Sequence, residues 1–257
     1  MKKENPPPSN PDEKVASRRG FLFKTIAIVP AASALTTASF VPAVGQTPAG
    51  AAAVSGTGNA AAAINYQPRF FNADEWTFIK AAVDRLIPAD NEGPGALELN
   101  VHVFIDGQME SGFGHASNWY MQGPFKGDAS PLFGYQASMP PRELYRSGIA
   151  ALTAYCRKNF GGKTFDQLAA NDQEQLFKDM DGGKVQFDTV SAQWFFTFLL
   201  QNAKEGYLSD PIHGGNKDMA AWKMIGFPGA RADFLDFVGP SDKVYPYGPV
   251  GIGGKQS

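Results

Sequence analysis

Reactive and metal-binding residue types are scarce in this chain. Of 257 residues, one is cysteine and three are histidine. A single thiol, Cys156, excludes an intrachain disulfide. It also excludes a CxxC zinc site, a CxxCH haem attachment and a cysteine-ligated iron–sulfur cluster within the chain. Cys156 falls in a helical pattern and reads as a small buried apolar residue, with a reactive thiol as the other reading. The histidines, His102, His115 and His213, are far apart, and no two show the HExxH spacing of a zinc site. His102 and His115 read as surface or internally satisfied histidines. There is no GxSxG nucleophile elbow, and no carboxylate pair stands out as a glycosidase dyad.

A basic excess is missing as well. Lys and Arg number 23 against 25 Asp and Glu, a net charge of -2. Residues 1–43 hold six Lys or Arg and three Asp or Glu, which leaves 17 against 22 in the rest. The body is mildly acidic and lacks the positive field that nucleic-acid binding needs. Strong hydrophobic runs are also few. Residues 25–44 are apolar but rich in Ala and Thr, and Pro30 and Pro42 interrupt them. A membrane span wants about 20 strongly apolar residues, so this stretch fits an export signal better.

What is present begins with that signal. A polar, proline-rich start leads to Arg18 and Arg19, then "GFLFK" and the apolar run. Paired arginines ahead of an apolar segment and a small-residue end match the twin-arginine (Tat) pattern, which exports folded proteins. A cleavage point follows Val41, Pro42 and Ala43; retention as a membrane tether is the alternative. Residues 44–63, "VGQTPAGAAAVSGTGNAAAA", are almost wholly small. They cannot bury enough apolar surface to offset their ordering entropy and read as a disordered linker.

The body, residues 64–257, reads as mainly α: a single compact helical domain with long irregular loops. Asn72 with Glu75 forms a capping-box pattern, followed by Trp76, Ile79, Val83, Leu86 and Ile87 at helical spacing up to Pro88. Residues 97–109 predict a second helix. Residues 141–159 predict a third, with Pro at its first position and Gly161 and Gly162 past its end. Thr164 with Gln167, and Asn171 with Glu174, each resemble a capping box. Asp188 is expected to cap a helix centred on "WFFTFLL", apolar on every face and so central or covered by a partner. Asn216 is expected to cap "KDMAAWKMI", with Gly226 as its stop, and "GARADFLDFV" predicts a last short helix. The tail "YPYGPVGIGG" reads as extended. Its glycines mimic a nucleotide-binding turn, but a dinucleotide site needs a helix after it, and only three residues remain.

Residues 111–137 show little periodicity and are rich in glycine and aromatics. Irregular segments this long are uncommon in compact domains and often functional. Trp119, Tyr120, Met121 and Phe125 either pack on the chain's own helices or form an interface, where aromatics and Met are enriched. A second candidate is the turn His213, Gly214, Gly215 and Asn216. Its glycines suit a tight turn and its Asn a helix cap. The other reading of that turn is a general base, with Asp210 or Asp218 beside His213. A third candidate is the tail around Tyr245 and Tyr247.

The segments "FNADEWTFIKAAVDRLIPAD", "NWYMQGPF", "PRELYRSGIAAL" and "DPIHGGNKDMAAWKMIGFPGAR" together resemble the gluconate 2-dehydrogenase subunit 3 family, over about residues 70–231. The resemblance implies a small, non-catalytic subunit without a cofactor of its own. Its implied partners are a GMC-type flavoprotein large subunit carrying FAD, and a multihaem cytochrome c subunit carrying haem c. It implies periplasmic export by Tat, with the flavoprotein carried along, and attachment to the inner membrane through the complex. On this resemblance the candidate interface is Trp119, Tyr120, Met121, Phe125, His213, Gly214, Gly215, Asn216, Tyr245 and Tyr247. Two positions depart from the family pattern. Tyr is frequent at the place of His213, and Thr at the place of Pro140, where the lost side-chain cap costs about 1 kcal/mol. Related complexes oxidise gluconate, fructose, glucose, sorbitol or 2-ketogluconate. A free-standing periplasmic enzyme and a non-redox periplasmic scaffold are the alternative functions.

Overall fold

A computed structural model describes residues 66–127, 129–231, 235–237 and 245–254. All lie within the compact unit Ala60–Ser257. The Arg18–Arg19 signal in residues 1–43 and the linker 44–63 lie outside the described residues. Among the described residues there are six α-helices and no β-strand, in keeping with the mainly α expectation. They are α1 (Ala73–Leu86), α2 (Val101–Glu110), α3 (Pro141–Asn159), α4 (Ala170–Asp181), α5 (Ala192–Leu208) and α6 (Ala220–Ile225). Short 3-10 turns lie between them. No helix among these residues is long and apolar enough to cross a membrane.

The start of α1 follows the sequence. The Asn72 side chain accepts the Glu75 N–H at 2.9 Å, and the Glu75 carboxylate accepts the Asn72 N–H at 2.9 Å. Each partner satisfies a backbone donor that a helix start leaves free. The apolar stripe Phe78, Ile79, Ala82 and Val83 is then buried. Glu75 is also buried, and Arg146 from α3 donates to both of its oxygens, at 3.1 and 3.0 Å. The same guanidinium donates to the Phe70 carbonyl at 2.8 Å and lies 4.2 Å from the centre of its ring.

Helix α5 is the centre of the domain and packs against each of the other five α-helices. Phe195, Phe196, Leu199 and Ala203 are essentially inaccessible, and Phe198, Leu200 and Tyr207 nearly so. Each such Phe or Leu contributes about 2 kcal/mol by leaving water. The all-round apolar pattern therefore reports a central position. Gly148 of α3 permits the closest approach: a Cβ there would sit 2.4 Å from the Phe195 ring. One turn earlier on α3, the wholly buried Tyr145 donates to the Asn202 amide oxygen at 2.9 Å, and Asn202 donates to Glu205 at 2.9 Å. Burial, then the Glu205 charge, raises the Tyr145 phenol well above its ordinary range.

Several expected boundaries move. Helix α2 begins at Val101, four residues after Leu97, because Asn100 adopts a left-handed conformation (φ 59). Helix α4 begins at Ala170, with Ala169 rather than Asn171 in the capping position. The turn before it reaches further, as Gln173 donates to the Phe165 carbonyl at 2.8 Å. Ser191, not Asp188, caps α5, and its hydroxyl accepts the Trp194 N–H at 3.2 Å. The expected helix over "GARADFLDFV" reduces, among the described residues, to a 3-10 turn at Leu235–Phe237. The α3 bounds agree with the expectation; Pro140 occupies its capping position without a side-chain hydrogen bond. Thr164 and Gln167 do pair, the Thr164 N–H donating to the Gln167 side chain at 3.0 Å.

An arm, residues 66–71, precedes α1 and lies on α2. Its anchor is Asp106, which is wholly buried. One carboxylate oxygen accepts the Tyr66 hydroxyl at 2.6 Å and the Arg69 N–H at 2.8 Å. The other accepts the N–H groups of Phe70 and Phe71, each at 3.1 Å.

Candidate functional site

The irregular segment divides its aromatics between core and solvent. Trp119 packs against the core, edge-on to Phe113 and Tyr135 (5.8 Å each) and tilted over Phe198 of α5 at 6.1 Å. Tyr135 fills the gap to Trp194 and donates its hydroxyl to the Met139 carbonyl at 2.8 Å. Burial, with Glu143 adding to it, pushes the Tyr135 phenol up to about 12. Tyr120, next to Trp119, is 74% exposed, and Leu132 and Phe133 are 73% and 76% exposed. Met121 and Phe125 are half-buried. The segment therefore packs on its own helices through three aromatics, Phe113, Trp119 and Tyr135, while presenting others to solvent.

The turn after α5 is built from glycine and asparagine for distinct reasons. Gly214 has φ 95, a left-handed conformation that side chains disfavour. Gly215 touches the end of α5: a Cβ there would lie 2.2 Å from the Gly206 carbonyl. Asn216 is wholly buried and left-handed (φ 45). Its amide donates to the Ser209 carbonyl at 2.9 Å and its oxygen accepts the Ala221 N–H at 3.0 Å. The expected cap is thus displaced by one turn. Met219 holds the capping position of α6, while Asn216 serves an amide inside the helix and a carbonyl past the end of α5. Trp222 satisfies the neighbouring Leu208 carbonyl at 2.7 Å, and Gly226 ends α6 in the left-handed conformation as expected.

The tail returns to the same place. Ala230 donates to the Val250 carbonyl at 2.7 Å, and Val250 donates to that of Pro228 at 3.2 Å. Asp210, almost buried, then ties tail to turn. One oxygen accepts the Ile212 N–H at 3.0 Å, the other the Ile252 N–H at 2.6 Å. This carboxylate brings the backbones of two exposed isoleucines to one side chain, Ile212 and Ile252, 63% and 66% exposed, with Leu208 nearby in sequence and 46% exposed. A groove of about 670 Å³ adjoins them, lined among others by Tyr66, His102, Val103, Gly214, Met219 and Gly251.

His213 itself is exposed on the 3-10 turn Pro211–His213. The Asp210 carboxylate expected beside it as an acid–base partner is engaged by the two amides instead. His102 lines the groove and lies against Trp76 at 5.0 Å. Burial, then the Lys80 charge, lowers its imidazole to about 4. His115 contacts Arg142, which also reaches Glu110 at 3.4 Å. Tyr245 and Tyr247 meet edge-on at 5.6 Å, and the Arg231 guanidinium lies over both rings, 5.6 and 4.7 Å away. Among the described residues no group of three His, Cys, Asp or Glu side chains is placed to hold a metal ion.

The candidate interface residues therefore fall in more than one place. Trp119 meets α5 at Phe198, whereas the turn follows its end at Leu208, about 15 Å along the axis at 1.5 Å per residue. The turn and the glycines of the tail converge at the groove. Sequence reading did not find Ile212 and Ile252, because hydropathy alone does not tell an exposed isoleucine from a core one. Residues 73–229, which include all six α-helices, match the family model described as gluconate 2-dehydrogenase subunit 3. Comparison with curated proteins and with solved structures gave no match.

Proposed function

The chain belongs to the gluconate 2-dehydrogenase subunit 3 family, and from that premise we propose that it is the non-catalytic small subunit of an FAD-dependent sugar or sugar-acid dehydrogenase. The match over residues 73–229 carries this reading, and the family description makes the chain one subunit among others. In the proposal FAD and the reacting groups belong to a GMC-type large subunit, and haem c belongs to a cytochrome c subunit that passes electrons on. The small subunit supports folding and stability of the flavoprotein. Its Arg18–Arg19 segment takes both proteins to the periplasm, where the complex associates with the inner membrane.

The exposed apolar residues favour a docking role over a free-standing enzyme. Tyr120, Leu132, Phe133, Ile212 and Ile252 each leave well over half of their surface to solvent. An acid–base pair of His213 with Asp210 finds no support in the geometry, because both Asp210 oxygens already accept backbone amides. The deciding experiment is native purification from the host membrane through a tag on this chain. A flavin-containing dehydrogenase that co-elutes supports the proposal, and a chain that elutes alone refutes it. Substitution of Ile212 and Ile252 by Ser is expected to lower recovery of the complex while the small subunit stays folded. Unchanged recovery would remove that pair from the interface.

A further inference from the structure

We propose that Asp106 is a latch that fastens the arm, residues 66–71, to the folded body, so that the arm is docked only when α2 and α3 are packed and its docking couples folding of the body to export. The coupling to export rests on the reading of Arg18 and Arg19 given above; the latch itself does not.

Three consecutive backbone N–H groups, from Arg69, Phe70 and Phe71, converge on this one side chain. Successive amides of this kind form a concave anion site, and here the anion is supplied by the chain itself. The Tyr66 hydroxyl completes the set. A carboxylate offers about four acceptor positions, and all four are used. The donors lie 35 to 40 residues from Asp106 in sequence, so the set exists only once the arm has met α2. A second helix grips the same arm. Arg146 of α3 holds the Phe70 carbonyl at 2.8 Å and covers the Phe70 ring, over which Arg142 also lies at 5.1 Å.

Burial makes the latch cooperative. Chain ends usually fray residue by residue unless they are tied down. Losing the donors one at a time would leave the carboxylate short of partners while the rest of the arm still shields it from water, and an under-paired buried charge is strongly disfavoured. The arm therefore releases as a unit. Burial and the Asp106 hydrogen bond also raise the Tyr66 phenol above its ordinary range, consistent with a hydroxyl held as a donor. A body whose α2 or α3 is unpacked leaves the arm free, so a docked arm marks a folded body.

The test uses the full chain with hydrogen exchange read separately for the arm and for α5, in wild type, Tyr66→Phe and Asp106→Asn. Tyr66→Phe removes one donor and leaves Asp106 intact. It is expected to speed exchange at residues 69–71 by on the order of tenfold, with α5 unchanged. Asp106→Asn removes an acceptor oxygen from the amides and should speed the arm further. Arm exchange at the wild-type rate in both variants overturns the latch. So does exchange that rises equally in the arm and α5 in both, because the arm would then not open as its own unit. Export of the same variants is measured beside Arg18→Lys with Arg19→Lys. Export that falls as the arm opens supports the coupling, and wild-type export with an open arm overturns it. Export indifferent to the arginine change overturns the export reading, and the exchange data still decide the latch.

Discussion

Replacing Gly148 by Ala tests the packing of α3 on α5 at its tightest point. In an exposed helix interior this change stabilises by about 1 kcal/mol, since Ala is the better helix former. Here the added methyl would lie 2.4 and 2.5 Å from two carbons of the Phe195 ring. Ordinary carbon contacts are about 3.5–4.0 Å, so the ring or helix must move by roughly 1 Å. Phe195 is wholly buried, edge-on to Tyr145 at 5.7 Å and stacked on Phe78 at 6.1 Å, so its ring has nowhere to retreat. Overpacking costs about 1–3 kcal/mol. Taking the upper end for a rigid ring, and subtracting the helix gain, leaves a loss of about 2 kcal/mol. For a domain of this size that lowers Tm by about 4–8 °C. Gly107 on α2 is the control, because a Cβ there meets nothing within 4 Å. Gly107→Ala is expected to stabilise by about 0.5–1 kcal/mol. Urea denaturation of the two variants decides it. A Gly148→Ala protein as stable as the wild type would refute the close approach of α3 to α5.

Other expectations concern buried polar and titratable groups. Tyr145→Phe leaves the Asn202 amide oxygen without that donor and should cost about 1–3 kcal/mol by urea denaturation. His102, lowered to about 4 from the ordinary 6.5, stays neutral in the folded state while the unfolded chain takes up a proton. Its contribution is complete above pH 6.5 and is lost as pH falls toward 4, at a slope of at most about 1.4 kcal/mol per pH unit. His102→Phe should flatten the denaturation midpoint across that window. Burial, with the Asp166 charge adding to it, pushes the Cys156 thiol up to about 11. At pH 8 it should resist a thiol reagent until urea unfolds the chain, and prompt labelling of the native protein would contradict that burial.

The local part of this fold was legible in the sequence. The Asn72–Glu75 box, the α3 bounds and the Gly226 stop each depend on residues within one or two turns, and all three appear as expected. Local rules miss the two helix starts that the surrounding chain sets: α5 begins after Ser191 rather than Asp188, and α4 after Ala169, which has no side-chain cap, rather than Asn171. What escaped reading is nonlocal. Asp106 looks like any helix-surface acid in "NVHVFIDGQ", and its four donors lie 35 to 40 positions earlier. Asp210 reads locally as an acid–base partner for His213, whereas its second amide comes from Ile252, 42 residues away. Trp119 and Tyr120 share a composition signal, yet one turns to Phe198 and the other to solvent. The segments that carried the family resemblance hold the scaffold: Glu75, Tyr145, Arg146 and Asn216 are each tied to another element.

The most direct test of the central claim is a pull-down from native host membranes through this chain, read by flavin absorbance and dehydrogenase activity. The account predicts that a larger flavoprotein co-elutes and that its activity is lost from the periplasm when Arg18 and Arg19 are both changed to Lys. A chain recovered alone, with sugar oxidation intact in its absence, would contradict it.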